Sequence, residues 1–272
     1  MMKRGWFLPI AATLGFAFLY LPIMSLVVFS FNENRLVTVW SGFSLKWYQA
    51  LFADPQMLGA AWLSLQIAAV SATIALVLGT ACAVALVRFG RFRGRTLLGG
   101  MVSAPLVMPD VITGLSLLLL FVAMEGAFGW PAGRGTLTVI LAHSTLCMAY
   151  ITVVIQSRLS DLDKSLEEAA MDLGATPVRV FFDITLPIIA PALVSGWLLG
   201  FTLSLDDLVI ASFVSGPGSS TLPMVIFSKI RLGVSPDVNA LATIIIGVVA
   251  LGVIAATLIG FGAQRTTRPR RG

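Results

Sequence analysis

The chain has 272 residues, of which 57% are apolar and 11% charged, with a mean hydropathy of +0.94. A soluble globular domain is nearer half apolar and a quarter charged, so these values exclude that class and point to a chain mostly immersed in lipid. The net charge of +5 is no nucleic-acid signal, because the basic residues cluster beside apolar runs. Cys82 and Cys147 both lie inside such runs and read as small buried residues rather than as a disulfide.

About 20 apolar residues are needed to cross the hydrocarbon core, and six runs meet that length: 6–31, 58–87, 97–124, 137–157, 187–214 and 238–262. The first follows a short basic start, Lys3 and Arg4. Its apolar run is too long for a signal-peptide core, and no small-x-small cleavage site precedes the polar Asn32-Glu33-Asn34-Arg35, so a membrane helix is expected there. Backbone amides find no water in lipid, which makes all six runs helices; the period-two alternation of a membrane barrel is missing.

Between the first two runs, segment 32–57 is long enough for a small cap. Segment 215–237 opens with the breaker cluster Ser215-Gly216-Pro217-Gly218-Ser219-Ser220, and Leu222 to Ile230 is then a short apolar stretch suited to an interfacial or re-entrant helix. Thirteen of the 18 Lys and Arg residues fall at the N-terminus, in 88–95, in 158–179 and in the 263–272 tail; the other five fall in the alternate segments. That bias predicts both termini on the cytoplasmic side. Trp40, Trp47, Tyr48, Trp62 and Trp130 then lie on the outer side, as interface aromatics do. The expected organisation is a first helix with its outer loop (1–57), a five-helix core (58–262) and a basic tail (263–272).

Segment 158–186 is the most informative. At about 100° per residue, Leu162, Leu166, Ala169, Ala170 and Leu173 share one side of a helix, and Lys164, Glu167, Glu168, Met171 and Asp172 the other. Ser165 and Glu168 have capping-box spacing, Gly174 suits a left-handed helix end, and Thr176-Pro177 suits the start of a second helix through Phe181 and Phe182. A helix lying on an anionic leaflet carries Lys and Arg on its polar face; here one Lys stands against three carboxylates. An apolar stripe offered to a groove on a partner protein fits better.

Asp110, Asp206 and Asp207 fall within apolar runs, and no Lys or Arg lies inside any run to pair with them. Intramembrane carboxylates are costly and mark cation paths, proton relays or ion pairs. Asp110 would lie roughly 20 Å along the third helix from its start. Asp206 and Asp207 are adjacent and cannot point the same way, so one can face a path while the other contacts a neighbouring helix. The structural alternative is capping or interhelical hydrogen bonding, which a kink near Pro109 would favour at Asp110. His143, the single histidine, lies inside the fourth run and is expected to make an interhelical hydrogen bond.

Other chemistries are poorly supported. None of Lys3, Lys46, Lys164 and Lys229 follows a glycine, so there is no P-loop; one histidine excludes a two-His zinc motif; no Gly-x-Ser-x-Gly elbow occurs. An ion-coupled secondary transporter would use membrane carboxylates, but no repeat links the two halves. An intramembrane aspartyl protease would need Asp110 and Asp206 to share a proton, and the Gly-x-Gly-Asp context is missing.

Glu168-Ala169-Ala170, Gly174 and Ile184-x-Leu186-Pro187 fall at the EAA-x3-G-x9-I-x-L-P spacing and resemble the motif of permease subunits of bacterial ABC importers. The resemblance implies an all-α, polytopic fold of six transmembrane helices with the type I importer (MetI-like) architecture. It also implies that the 162–187 loop docks into a cleft of a separate ATPase. Further segments resemble the polyamine (putrescine and spermidine) branch, most of all the second permease subunits of putrescine importers. They are Leu36 to Trp40, Phe43 to Tyr48, Pro105 to Ile112, Thr202 to Asp207 and Asn239 to Thr243. That branch implies a cationic cargo passing Asp110, Asp206 and Asp207. Its partners would be a second, different permease chain, an ATPase homodimer and a periplasmic polyamine-binding protein. It implies no cofactor in this chain, ATP and magnesium being held by the ATPase, and a multi-pass protein of the bacterial inner membrane.

Overall fold

A computed structural model describes residues 6–35, 39–232 and 236–266, with side chains up to Arg231 in the second stretch and to Leu251 in the third. Lys3, Arg4, Leu36, Val37, Thr38, Arg268, Arg270 and Arg271, all used in the sequence reading, lie outside the described residues. The described chain is helical, with one isolated bridge between Asn32 and Phe43. In chain order the helices are α1 (Phe7–Phe29), α2 (Lys46–Phe52), α3 (Pro55–Arg88), α4 (Arg95–Val107), α5 (Asp110–Phe128), α6 (Thr136–Asp161), α7 (Lys164–Asp172), α8 (Pro177–Val180), α9 (Leu186–Asp206), α10 (Val209–Val214), α11 (Leu222–Leu232) and α12 (Pro236–Thr266). A π-helical turn, Phe181–Thr185, joins α8 to α9. Among the described residues, five stretches are long and apolar enough to cross a membrane: Phe7–Ser30, Pro55–Arg88, Asp110–Phe128, Thr136–Asp161 and Pro177–Asp206. With the apolar helix that begins at Pro236, the six expected helices are present.

Two of them depart from the expected runs. The run at 97–124 is divided at Met108–Pro109 into α4 and α5. Proline lacks the amide that would continue the α4 ladder, and it disfavours the helical region for the residue before it; Met108 is extended, with ψ 136°. The run at 187–214 is divided at Asp207, which is extended with ψ 124°. Its helix also starts earlier, at Pro177, through the π turn. There Pro187 cannot donate to Asp183, and the Leu186 amide reaches back to the Phe181 carbonyl instead.

The chain forms two compact units. The first comprises residues 1–58 and 226–272. In it, α1 is apolar all round and has no buried residue, as expected of a helix surrounded by lipid. Residues 30–35 and 39–48 fold around the fully buried Asn32. The Asn32 amide donates to the Val39 carbonyl (2.7 Å) and its side-chain oxygen accepts from the Ser41 amide (3.0 Å). The Trp47 indole donates to the Asn32 carbonyl (2.8 Å). Lys229 donates to both Asp54 (2.8 Å) and Asp237 (2.7 Å).

The second unit, residues 59–225, is built around α6. Val139, Ala142 and Leu146 of α6 pack with Ile67 of α3, Phe121 of α5 and Ile210, Ala211 and Val214 of α10. Farther along, Cys147, Ile151, Ile155 and Leu159 pack with Ala75 and Ala83 of α3 and Ile189 of α9. Lipid tails are as apolar as leucine, so close packing rather than water exclusion holds such helices together, and small residues provide it. A Cβ on Gly79 would stand 3.1 Å from Ile151, and one on Gly200 2.9 Å from the same side chain. The Cys147 thiol donates to the Gly200 carbonyl at 3.2 Å across that contact.

Candidate functional site

Two features of the second unit carry the chemistry singled out in the sequence. The first is the loop that follows α6. Helix α7 starts at Lys164 and is capped by Asp163, whose carboxylate accepts from the Ser165 amide at 3.0 Å. That hydrogen bond holds the Asp163 carboxyl below the usual carboxylate range. The expected Ser165–Glu168 capping box does not form, because the cap lies two residues earlier. At the other end, the Gly174 amide bonds the Met171 carbonyl (2.9 Å) and the Ala175 amide bonds that of Ala170 (3.1 Å), with Gly174 at φ +88°. This is the Schellman pair, and it requires a left-handed residue at Gly174. Thr176 caps α8, accepting from the Arg179 amide, and Pro177 is the first residue of that helix.

Glu167, not the motif's Glu168, anchors this loop. One of its oxygens lies 2.8 Å from Arg88 Nε at the end of α3; the other accepts from the Thr185 hydroxyl at 2.7 Å. Glu168 and Ala169 are exposed, as is Gly174, while Ile184 and Leu186 are half-buried beside the π turn that Pro187 imposes. A Cβ on Gly174 would meet nothing within 4 Å. Leu173 is 90% exposed and Val178 67% exposed, which leaves an apolar, sterically open face on the loop. The groove behind α7 is lined by Val84, Arg88, Glu167, Met171 and Phe181.

The second feature is the pair of breaks at the membrane carboxylates. Asp110 is the first residue of α5, directly after the Pro109 break. Asp206 ends α9 and Asp207 is the residue at which that helix breaks. Asp207 is turned inward, with its side chain 8% exposed. Its carboxylate accepts from the Ile210 (3.3 Å) and Ala211 (2.8 Å) amides and from His143 Nε2 (3.1 Å). The other ring nitrogen of His143 lies 2.7 Å from the Ser204 hydroxyl, and the histidine is fully buried. The interhelical role expected for His143 is therefore observed. Asp110 and Asp206 are exposed, and no side chain bonds either carboxylate among the described residues.

The breaks share a register. Both α9 and α10 run antiparallel to α6: Cys147 meets Gly200, His143 meets Asp207, and Thr138 donates to the Val214 carbonyl (2.7 Å). The 129–135 turn likewise reverses the chain between α5 and α6, so α5 and α10 are parallel. They pack tightly: a Cβ on Gly114 would stand 2.7 Å from the Phe213 ring and 3.3 Å from the Ile210 backbone. Gly114 is one turn after Asp110, and Ile210 is three residues after Asp207. The starts of the two half-helices, with their carboxylates, therefore lie at one level of the pair. Sequence reading missed this pairing and the Arg88–Glu167–Thr185 cluster. Only the Pro109 break and the small Gly114 were available as signals.

Residues 75–268 match the family described as binding-protein-dependent transport system inner membrane component. Among curated proteins, the chain is 63% identical over 256 residues to the putrescine transport system permease protein PotI of Escherichia coli (strain K12), covering 94% of this chain and 91% of that one. It is 45% identical to the spermidine/putrescine transport system permease protein PotC of Haemophilus influenzae, covering 90% and 92%. Among solved structures, a chain of a bacterial ABC transporter involved in import of the acidic polysaccharide alginate aligns with a TM-score of 0.69 at 15% identity, over 93% of this chain and 95% of that one. A chain of the MetNI methionine ABC transporter in an inward-facing form aligns with a TM-score of 0.56 at 19% identity, over 77% and 94%. The structural likenesses concern the fold.

Proposed function

The chain belongs to the binding-protein-dependent transport system inner membrane components, and from that membership we propose that it is the permease subunit of an ATP-driven importer of polyamines, putrescine foremost. The observation that carries the reading is the 63% identity to a putrescine permease over nearly the whole chain. The physical chemistry agrees with a diamine cargo. Asp110 and Asp206 are membrane carboxylates without cationic partners among the described residues, and a diamine brings the charge they lack.

In this reading the termini and the α7 loop face the cytoplasm, where the 13 basic residues gather. The exposed face of α7 and α8, with Glu168, Ala169, Ala170 and Gly174 and the Ile184-x-Leu186-Pro187 segment behind it, seats in a groove of an ATPase dimer. A second, different permease chain completes the path, and a periplasmic polyamine-binding protein delivers cargo from the outer side. ATP and magnesium stay on the ATPase, and this chain holds no cofactor. Closure of the ATPase pair on ATP moves the α7 loop. The Arg88–Glu167–Thr185 cluster passes that motion to α3 and the start of α9, and the permease pair alternates between inward-open and outward-open states. Cargo passes Asp110 and Asp206, while Asp207 holds the α9–α10 joint.

The test is uptake of radiolabelled putrescine by cells that lack their own polyamine importers and express this chain with its co-encoded partners. The reading expects saturable, ATP-dependent uptake that unlabelled spermidine competes and a neutral sugar does not. Sugar-competed uptake, or none with all chains present in the membrane, would refute the cargo assignment.

A further inference from the structure

We propose that His143 is a positioning residue for transport: from α6 it fixes the α9–α10 joint through Asp207, and so sets the direction in which the neighbouring Asp206 carboxylate is presented. The inference rests on reading Asp206 as a carboxylate of the cargo path.

The geometry is specific. A helix that breaks in lipid must satisfy its freed amides locally. The Asp207 carboxylate does this for α10 by accepting from the Ile210 and Ala211 amides. An unneutralised carboxylate buried at that depth is costly, and it needs a donor from elsewhere. His143 is that donor, 3.1 Å away and fully buried. A carboxylate only accepts, so the proton on this ring edge belongs to Nε2. The opposite nitrogen is held at 2.7 Å from Ser204, one turn before the joint on α9. The imidazole thus ties Ser204 in the last turn of α9 to Asp207, whose carboxylate caps the first turn of α10, and so fixes the relative rotation of the two from a third helix. Asp206 lies between the two anchored residues. Its neighbours Ser204 and Asp207 are pinned inward, and its own carboxylate is exposed. A change at His143 would release the joint and let Asp206 rotate, although His143 is itself fully buried.

The test reads the presentation of Asp206 directly and does not need transport. In the full importer, in membranes, Cys82→Ala removes the half-buried thiol, and the fully buried Cys147 is left in place. The chain without a further cysteine gives the background. Asp206→Cys is then labelled with a cationic methanethiosulfonate. The proposal expects His143→Ala to change the labelling rate by about tenfold, on the scale of leaving a buried charged acceptor without its partner. His143→Gln, whose amide can place a donor near the Nε2 position, should stay within about twofold of the parent. Unchanged labelling in His143→Ala would overturn it. Should that variant fail to reach the membrane, His143→Gln against His143→Asn decides, because Asn reaches towards Ser204 but not Asp207. A labelling rate changed in Asn alone supports the proposal, and equal labelling in both overturns it. Failure of the path reading is separate: it would appear as normal putrescine uptake by Asp206→Asn, whatever the labelling shows.

Discussion

Arg88 Nε lies 2.8 Å from one oxygen of Glu167, and the other oxygen of the same carboxylate accepts from Thr185. One side chain thus joins the end of α3, the α7 loop and the π turn before α9. Both charged side chains are 13% exposed, so solvent screens the pair only partly. Glu167→Ala should leave Arg88 half-buried without its partner and lower putrescine uptake about fivefold or more, while ATP hydrolysis by the assembled importer persists. The charge exchange Arg88→Glu with Glu167→Arg should recover part of the loss. Uptake and ATPase rates measured on the same preparations check this.

Gly174 separates backbone conformation from contact. Its φ of +88° strains any L side chain, yet a Cβ there meets nothing within the chain. Gly174→Asn, which tolerates the left-handed region, should couple nearly normally. Gly174→Ala should cost about 1 kcal/mol of local stability. Gly174→Asp adds a charge to a face proposed to dock, and it should uncouple ATP hydrolysis from uptake. Normal uptake by Gly174→Asp at normal expression would count against docking.

Gly216 presents the opposite case. It has no left-handed backbone, but a Cβ would stand 2.0 Å from the Arg134 carbonyl oxygen. Backbone cannot yield as a flexible side chain can, so Gly216→Ala should destabilise by about 3 kcal/mol or more and lower the amount of folded protein. Gly114→Ala meets chiefly the Phe213 ring, and Phe213→Leu should relieve it. Thermal unfolding in detergent, followed by tryptophan fluorescence, separates these variants.

Lys229 carries a pH prediction. Burial works against its charge, but hydrogen bonds to Asp237 and Asp54 outweigh that and raise it above its ordinary 10.5. The Lys229 hydrogen bond likewise lowers Asp54 below 3.8, against the opposing effect of burial. The stabilisation from Asp54 is present above pH 3.8 and is lost as pH falls through its lower folded value. That from Lys229 is present below pH 10.5 and is lost as pH rises through its higher folded value. Lys229→Met should therefore lower the melting temperature by about 3 °C or more. The decrement should be the same at pH 5 and pH 9, because neither group titrates between them.

The helices were legible in the sequence because lipid permits only helices or closed barrels to satisfy backbone hydrogen bonding, and long apolar runs without period-two alternation reveal the helix. The Gly174 terminus and the Thr176-Pro177 start were legible because each needs a particular residue type. The Asp163 cap was not: it competes with Ser165 two residues on, and spacing favoured the wrong one. The break at Asp207 was also hidden, since no proline or glycine marks it. It depends on a histidine 64 residues earlier in the chain that only the fold brings within 3.1 Å. For the same reason the anchoring role of Glu167, beside the motif's Glu168, is not legible in the sequence: its partners Arg88 and Thr185 lie on other elements.

The most direct test of the central claim is putrescine uptake by the full importer with Asp110→Asn or Asp206→Asn, read beside basal and binding-protein-stimulated ATPase activity. If cargo passes these carboxylates, each variant assembles and keeps its basal ATPase activity, but transports putrescine at least about tenfold more slowly at low concentration. Wild-type uptake by both variants would contradict the account and leave the carboxylates with a structural role alone.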